Sequence, residues 1–153
     1  PHFPDNIDVF IEPFAGLGRI TELVTANTYH LNDMSDYAIE TLTKKFPTNE
    51  MGMMDSWTGS KTRTYTIDQM DFRDFIIKYM HMENVFIFCD PPFDDKNIES
   101  LISLIFNKNL LNKNGVIILH RNKNTKDNFP VFFKKIEERS YGVSKIIFGK
   151  FLP

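Results

Sequence analysis

Val85-Phe86-Ile87-Phe88-Cys89-Asp90-Pro91-Pro92-Phe93 is the stretch from which the fold is read. Five residues without polar alternation run into a carboxylate, two prolines and an aromatic ring. So short an apolar run suits a strand buried on both faces, as strands of a parallel sheet are. Pro91 and Pro92 lack amide hydrogens and have fixed φ, so the strand stops there. Asp90 is thereby held at the carboxyl end of a central strand, with Phe93 just beyond it. In open α/β sheets ligands bind at that edge. A carboxylate, prolyl carbonyls and a flat ring on a stiff backbone could grip a planar group bearing an NH2. A strand-ending turn with a capping Asp is the plainer alternative.

Toward the N-terminus, Asp8-Val9-Phe10-Ile11 reads as a first strand that ends at Glu12-Pro13-Phe14-Ala15-Gly16-Leu17-Gly18. Two glycines two apart, after a buried strand and before a helical pattern (Ile20, Leu23, Val24), make a tight turn that lets a ligand approach the backbone. Thr21 stands where a dinucleotide pattern would have its third glycine. Thr28 to Asp33 reads as a second strand ending in an acid, 15 residues beyond Gly18. A nucleotide fold places the carboxylate that accepts from ribose hydroxyls at about that distance. Ser35 and Asp36 open a helix with Ala38, Ile39 and Leu42 on one face. Thr64-Tyr65-Thr66-Ile67 is β-branched and aromatic, a third strand. Asp71 and Phe72 follow it and begin a short helix through Tyr79.

Toward the C-terminus, Ile98 to Phe106 has apolar residues at helical spacing (98, 101, 102, 105), with Asp94 and Asp95 ahead of it. Asn114-Gly115 is a turn signal before Val116-Ile117-Ile118-Leu119, a further buried strand. Residues 120–128 read as a polar, basic loop. Phe129 to Glu138 reads as a helix with Pro130 in its first turn. Ser140 to Phe148 reads as a turn or short strand and then a terminal strand. Residues 47–63 form a long polar connection containing Trp57, either a local anchor or a base-stacking surface. His30 reads as a packed strand residue, and His81 and His120 stand isolated. No histidine pair has metal-ligand spacing, so no metal is expected.

The alternation of strand and helix gives the α/β class with a mainly parallel sheet. Right-handed crossovers then set the strand ends along one rim. Glu12, Gly16, Gly18, Asp33, Asp71 and Asp90 all fall on that rim. At 153 residues and 42% hydrophobic, the chain has the apolar material of one ordinary domain with a two-sided core. No apolar run approaches the roughly 20 residues that span a bilayer, and the opening residues do not resemble a signal sequence. The lone Cys89 leaves no partner for an internal disulfide and fits a reducing compartment such as the cytoplasm. The net charge of −2 hides a split: residues 1–107 carry 8 Lys/Arg and 17 Asp/Glu, and residues 108–153 carry 10 and 3. A basic end on an acidic body is a footprint for a phosphate backbone. A bias toward Lys and Asn in composition would produce the same runs.

With these residues placed, the chain resembles a class I S-adenosylmethionine-dependent methyltransferase of the amino-methylating group. Phe14, Gly16 and Gly18 are similar to its first cofactor motif, Phe-x-Gly-x-Gly. Asp33, with Met34 beside it, resembles the acid that binds the cofactor ribose, and Asp71-Phe72 the adenine contact. Glu12 joins this set. Asp90-Pro91-Pro92-Phe93 resembles the (Asp/Asn/Ser)-Pro-Pro-aromatic motif of enzymes that methylate exocyclic amines on bases. Within the group the chain looks most like the RsmD-like family, which methylates guanine N2 in small-subunit ribosomal RNA. Phe93, the short layout and Tyr141-Gly142-Val143-Ser144-Lys145 carry that likeness.

The resemblance implies a Rossmann-like, doubly wound, mainly parallel seven-stranded sheet in a single domain over residues 1–153. It also implies S-adenosylmethionine as cofactor and RNA as partner, with the chain a monomer. Asp90 and the Pro91 carbonyl would then accept the hydrogens of the target amine while Phe93 stacks on the base. Arg121, Lys123 and Lys126 would guide RNA from the loop after the fifth strand. The family's basic N-terminal extension is not seen ahead of the first strand. Three alternatives stay open: an adenine-N6 methyltransferase of DNA or RNA, a non-catalytic RNA-binding subunit of the same fold, and a methyltransferase for a small molecule or protein glutamine.

Overall fold

The computed structural model describes residues 7–46, 48, 63–79, 85–92, 97–111 and 115–152. Chain order runs β1 (Ile7–Glu12), β2 (Ala26–Asn32), α1 (Asp36–Lys45), β3 (Thr64–Asp68), α2 (Phe72–Lys78), β4 (Val85–Cys89), α3 (Ile98–Asn107), β5 (Val116–Asn122), β6 (Phe133–Tyr141) and β7 (Ser144–Phe151). The strands form one seven-stranded sheet in the order β3-β2-β1-β4-β5-β7-β6. Strands β1 to β5 pair in parallel, and β7 pairs antiparallel with both β5 and β6. The sheet is thus Rossmann-like and mainly parallel, with helices on both faces.

β4 lies inside the sheet between β1 and β5, as its unbroken apolar run requires. Phe86 and Phe88 are buried in one core, with Phe10, Tyr29, Leu31, Ile118 and Leu42 of α1. Ile87 and Cys89 belong to the other, with Ile11, Ile117, Leu119 and residues of α2 and α3. α3 buries Ile98, Leu101, Ile102 and Ile105, the four positions its periodicity assigns. α1 is capped by Ser35, whose hydroxyl accepts from the Ala38 N–H at 3.4 Å.

Two sequence expectations are corrected. The helix expected after the Gly-x-Gly turn is only a single turn of 3-10 helix, Thr21–Leu23. Ala26 already begins β2, so too few residues remain for more. The helix expected over Phe129–Glu138 is instead β6, the edge strand of a hairpin closed at Gly142 (φ +57°). Helix propensity in Lys-Lys-Ile-Glu-Glu-Arg yields to the pairing that β7 offers. An ideal Cβ on Gly149 would lie 2.0 Å from the Phe133 ring, so Phe133 lies against bare backbone of β7. Phe132 stacks on Phe106 of α3 with centroids 4.0 Å apart.

Candidate active site

Because β1 is flanked by β2 on one side and β4 on the other, the crossovers reverse direction at β1/β4, where a crevice opens at the carboxyl ends of the strands. A hollow of about 380 Å³ lies there, lined by Phe14, Gly16, Asp33, Asp90, Pro91, Pro92 and His120. Six of these seven are residues that the sequence singles out, brought from the ends of β1, β2 and β4.

The turn after β1 is held by hydrogen bonds. Gly16 takes a φ of +52°, and the position of its missing Cβ has no atom within 4 Å. Its N–H donates to Asp33 Oδ2 at 2.8 Å, while Asp33 Oδ1 accepts from the Ser35 N–H at 2.9 Å. Each carboxylate oxygen retains lone-pair capacity for a further donor. Gly18 (φ +70°) serves another purpose: a Cβ there would meet Phe46 at 2.6 Å and Leu42 at 2.9 Å. It lets α1 close over the turn. Asn32, which sequence reading passes over, pins two loops at once. Its buried amide donates to the Pro13 and Met70 carbonyls, and its carbonyl accepts from the Met70 N–H.

Glu12 does not line the hollow. It lies at the end of β1, 2% exposed, and accepts from the Thr21 hydroxyl at 2.5 Å. Burial pushes its carboxyl up to about 8, against the pull of the Thr21 bond and with help from the charges of Asp90 and Asp33. Met34 is exposed beyond Asp33, its carbonyl accepting from Gln69. Asp71 caps α2 by accepting from the Arg73 N–H, and the Phe72 ring lies 5.4 Å from that of Phe14. These two rings form an apolar flank near the turn.

Across the crevice, Asp90 follows β4 and is 39% exposed. Its Oδ1 lies 2.9 Å from Nδ1 of His120. Sequence reading left His120 isolated, yet the register pairs Cys89 with Leu119, so residues 90 and 120 come next on neighbouring strands. Aligning the two apolar runs would have found it. Pro91 is buried, Pro92 is exposed, and Phe93 falls outside the described residues, as do Trp57 and His81.

Arg121 is a correction. β5 continues to Asn122, so Arg121 is a strand residue with no exposed surface, not a loop residue facing RNA. Its Nε donates to Asp127 Oδ1 at 2.9 Å and its Nη1 reaches the Pro92 carbonyl at 3.4 Å. Lys145 approaches Asp127 Oδ2 at 2.8 Å and donates to the Thr125 carbonyl. The tail motif Tyr141 to Lys145 thus closes a hairpin and sends its lysine inward. Lys123 and Lys126 are exposed in the loop after β5. His30 is a packed residue, stacked on Tyr79 at 3.9 Å, with burial lowering its imidazole to about 4. Among the described residues no group of three or more side chains could hold a metal ion, and no helix is long and apolar enough to cross a membrane.

Known proteins share this architecture. A protein from Haemophilus influenzae described as a candidate methylase superposes with a TM-score of 0.74 at 19% identity, covering 95% of this chain and 88% of that one. A candidate methyltransferase from Escherichia coli gives 0.73 at 17%, covering 95% and 77%. An rRNA methyltransferase from Streptomyces viridochromogenes gives 0.60 at 10%, covering 95% and 77%. No curated protein matches the sequence significantly. The profile of the family described as conserved hypothetical protein 95 matches residues 6–150, nearly the whole chain. The chain belongs to that family, the RsmD-like methyltransferases.

Proposed function

We propose that the chain is a single-domain S-adenosylmethionine-dependent methyltransferase acting on an exocyclic amino group of a base in RNA, guanine N2 of small-subunit ribosomal RNA being the favoured acceptor. One observation carries the reading: the Asp90 carboxylate stands at the end of β4 in the same hollow as Gly16 and Asp33. Donor site and acceptor clamp are therefore contiguous.

The residues present fit the cofactor. Gly16 leaves open space where a side chain would intrude, Asp33 offers carboxylate oxygens, and Phe14 and Phe72 offer apolar surface. The cofactor supplies an electrophilic methyl group on a sulfonium. Asp33 would hold its ribose hydroxyls and Phe72 its adenine, with Asp71 and the exposed Met34 beside them. An aromatic amine is a weak nucleophile because its lone pair is drawn into the ring. Asp90 and the Pro91 carbonyl, by accepting its hydrogens, would localise that pair and aim it, a contribution of orientation and electrostatics. Phe93 is the candidate stacking residue for the extruded base. Lys123 and Lys126 are the candidate phosphate contacts.

Asp90→Ala should lower turnover at least about hundredfold while cofactor affinity stays within a few-fold. Asp33→Ala should instead weaken cofactor binding by about tenfold or more, because charge-assisted hydrogen bonds are lost. Transfer of tritiated methyl to stripped ribosomal subunits, free RNA, DNA oligomers and protein identifies the acceptor. Near-normal turnover by Asp90→Ala overturns the clamp; label appearing only in protein or DNA overturns the acceptor.

A further inference from the structure

We propose that His120 is a positioning residue for methyl transfer: it holds one oxygen of Asp90 so that the other faces the incoming amine. The inference rests on the function proposed above and concerns the same hollow.

The parallel register of β4 and β5 sets Asp90 and His120 side by side, and both line the hollow that also holds Gly16 and Asp33. The contact is 2.9 Å from Nδ1 to Oδ1, a full hydrogen bond between side chains 30 residues apart in the chain. Asp90 sits on a turn fixed by two prolines, so its backbone is stiff. Its carboxylate plane is not, because rotation about a terminal sp³–sp² bond is broad. A partly exposed carboxylate could therefore swing, and an acceptor that swings cannot aim a lone pair.

His120 removes that freedom. Its Nδ1–H donating to Oδ1 fixes the plane and leaves Oδ2 as the acceptor for the amine. The imidazole comes from a strand whose neighbours on both sides are hydrogen-bonded, so the donor is itself well placed. The charged and titratable groups around it suit this role. Asp90 directly follows β4, Glu12 at the end of β1 interacts electrostatically with Asp90, and Arg139 and Tyr141 of β6 share with His120 a second hollow lined by Phe88, Ile118 and Phe148. Among the described residues, no carboxylate of β5, β6 or β7 lines either hollow.

The test uses four variants of the full chain with labelled cofactor and the acceptor found above. His120→Ala should lower kcat by about ten- to hundredfold, with cofactor Kd and acceptor KM within about twofold of wild type. His120→Asn places an amide donor close to the position of Nδ1 and should recover kcat to within about threefold. In the Asp90→Asn background, His120→Ala should cost little further, because the oxygen it orients is already altered. Should His120→Ala fail to fold, His120→Phe keeps the packing, lacks the donor and takes its place. Wild-type kcat in a variant without the donor overturns the inference, as does a folded His120→Asn no better than His120→Ala. An inactive wild-type protein overturns the proposed function itself, so the two failures are distinguishable.

Discussion

Glu12 is a carboxyl buried at the end of β1, where burial and the nearby charges of Asp90 and Asp33 both disfavour its ionised form. Its carboxyl is pushed up to about 8 by desolvation, from the ordinary carboxyl value of 4.5. The folded chain therefore binds this proton more tightly than the unfolded chain does. The resulting stabilisation is complete below the unfolded value and disappears as pH rises toward 8. Each unit of that window is worth at most about 1.4 kcal/mol. Urea unfolding should show stability declining between about pH 6.5 and 8, above the range in which the lowered His30 imidazole works in the opposite direction, and Glu12→Gln should flatten the decline. A slope unchanged in Glu12→Gln would mean that the carboxyl is charged in the fold. The sequence put Glu12 on the rim correctly but could not show that it points inward. There it accepts from the hydroxyl of Thr21, the first residue of the short 3-10 turn.

At the level of elements, the Gly-x-Gly turn divides its two glycines between hollow and packing: Gly16 lines the hollow and Gly18 lies against Leu42 and Phe46. Both take positive φ, so a Cβ adds about 1–2 kcal/mol of strain at either. At Gly18 it would also strike Phe46 and Leu42, and overpacking adds about 1–3 kcal/mol. Gly18→Ala should therefore destabilise the fold clearly more than Gly16→Ala does. Gly16→Ala should fold and yet bind the cofactor more weakly, because its methyl enters the hollow. Equal losses of stability, measured by thermal unfolding, would remove this division. β4, α3 and the turn were readable because local pattern and tertiary need agree: an unbroken apolar run belongs inside a sheet, and helical spacing belongs over it. β6 was not readable, since its exposed Lys, Glu and Arg suit a solvated helix face equally well. Its pairing is decided by β7, which comes later in the chain. His120 was missed for a related reason, because its meaning lies in the register between two strands.

Across the whole molecule, several cations of the basic C-terminal third are occupied within the fold. Arg121 and Lys145 are occupied by buried Asp127, where they tie the loop after β5 to the hairpin, and Arg121 also reaches the Pro92 carbonyl. Lys135 pairs with Glu138, and Arg139 with Glu137, on the edge strand. Lys123 and Lys126 remain exposed in the loop that follows the strand bearing His120. If these two contact phosphates, each releases counterions, and each contributes about 0.7 to the slope of log Kobs against log salt for single-stranded RNA. Lys123→Ala/Lys126→Ala should then weaken RNA binding at low salt and flatten the slope by about 1.4. Cofactor affinity should hold, since neither side chain lines the hollow at the ends of β1, β2 and β4. An unchanged slope would move the RNA path off this loop, toward Lys134 and Lys150 on the hairpin, and leave the chemistry at Asp90 untouched.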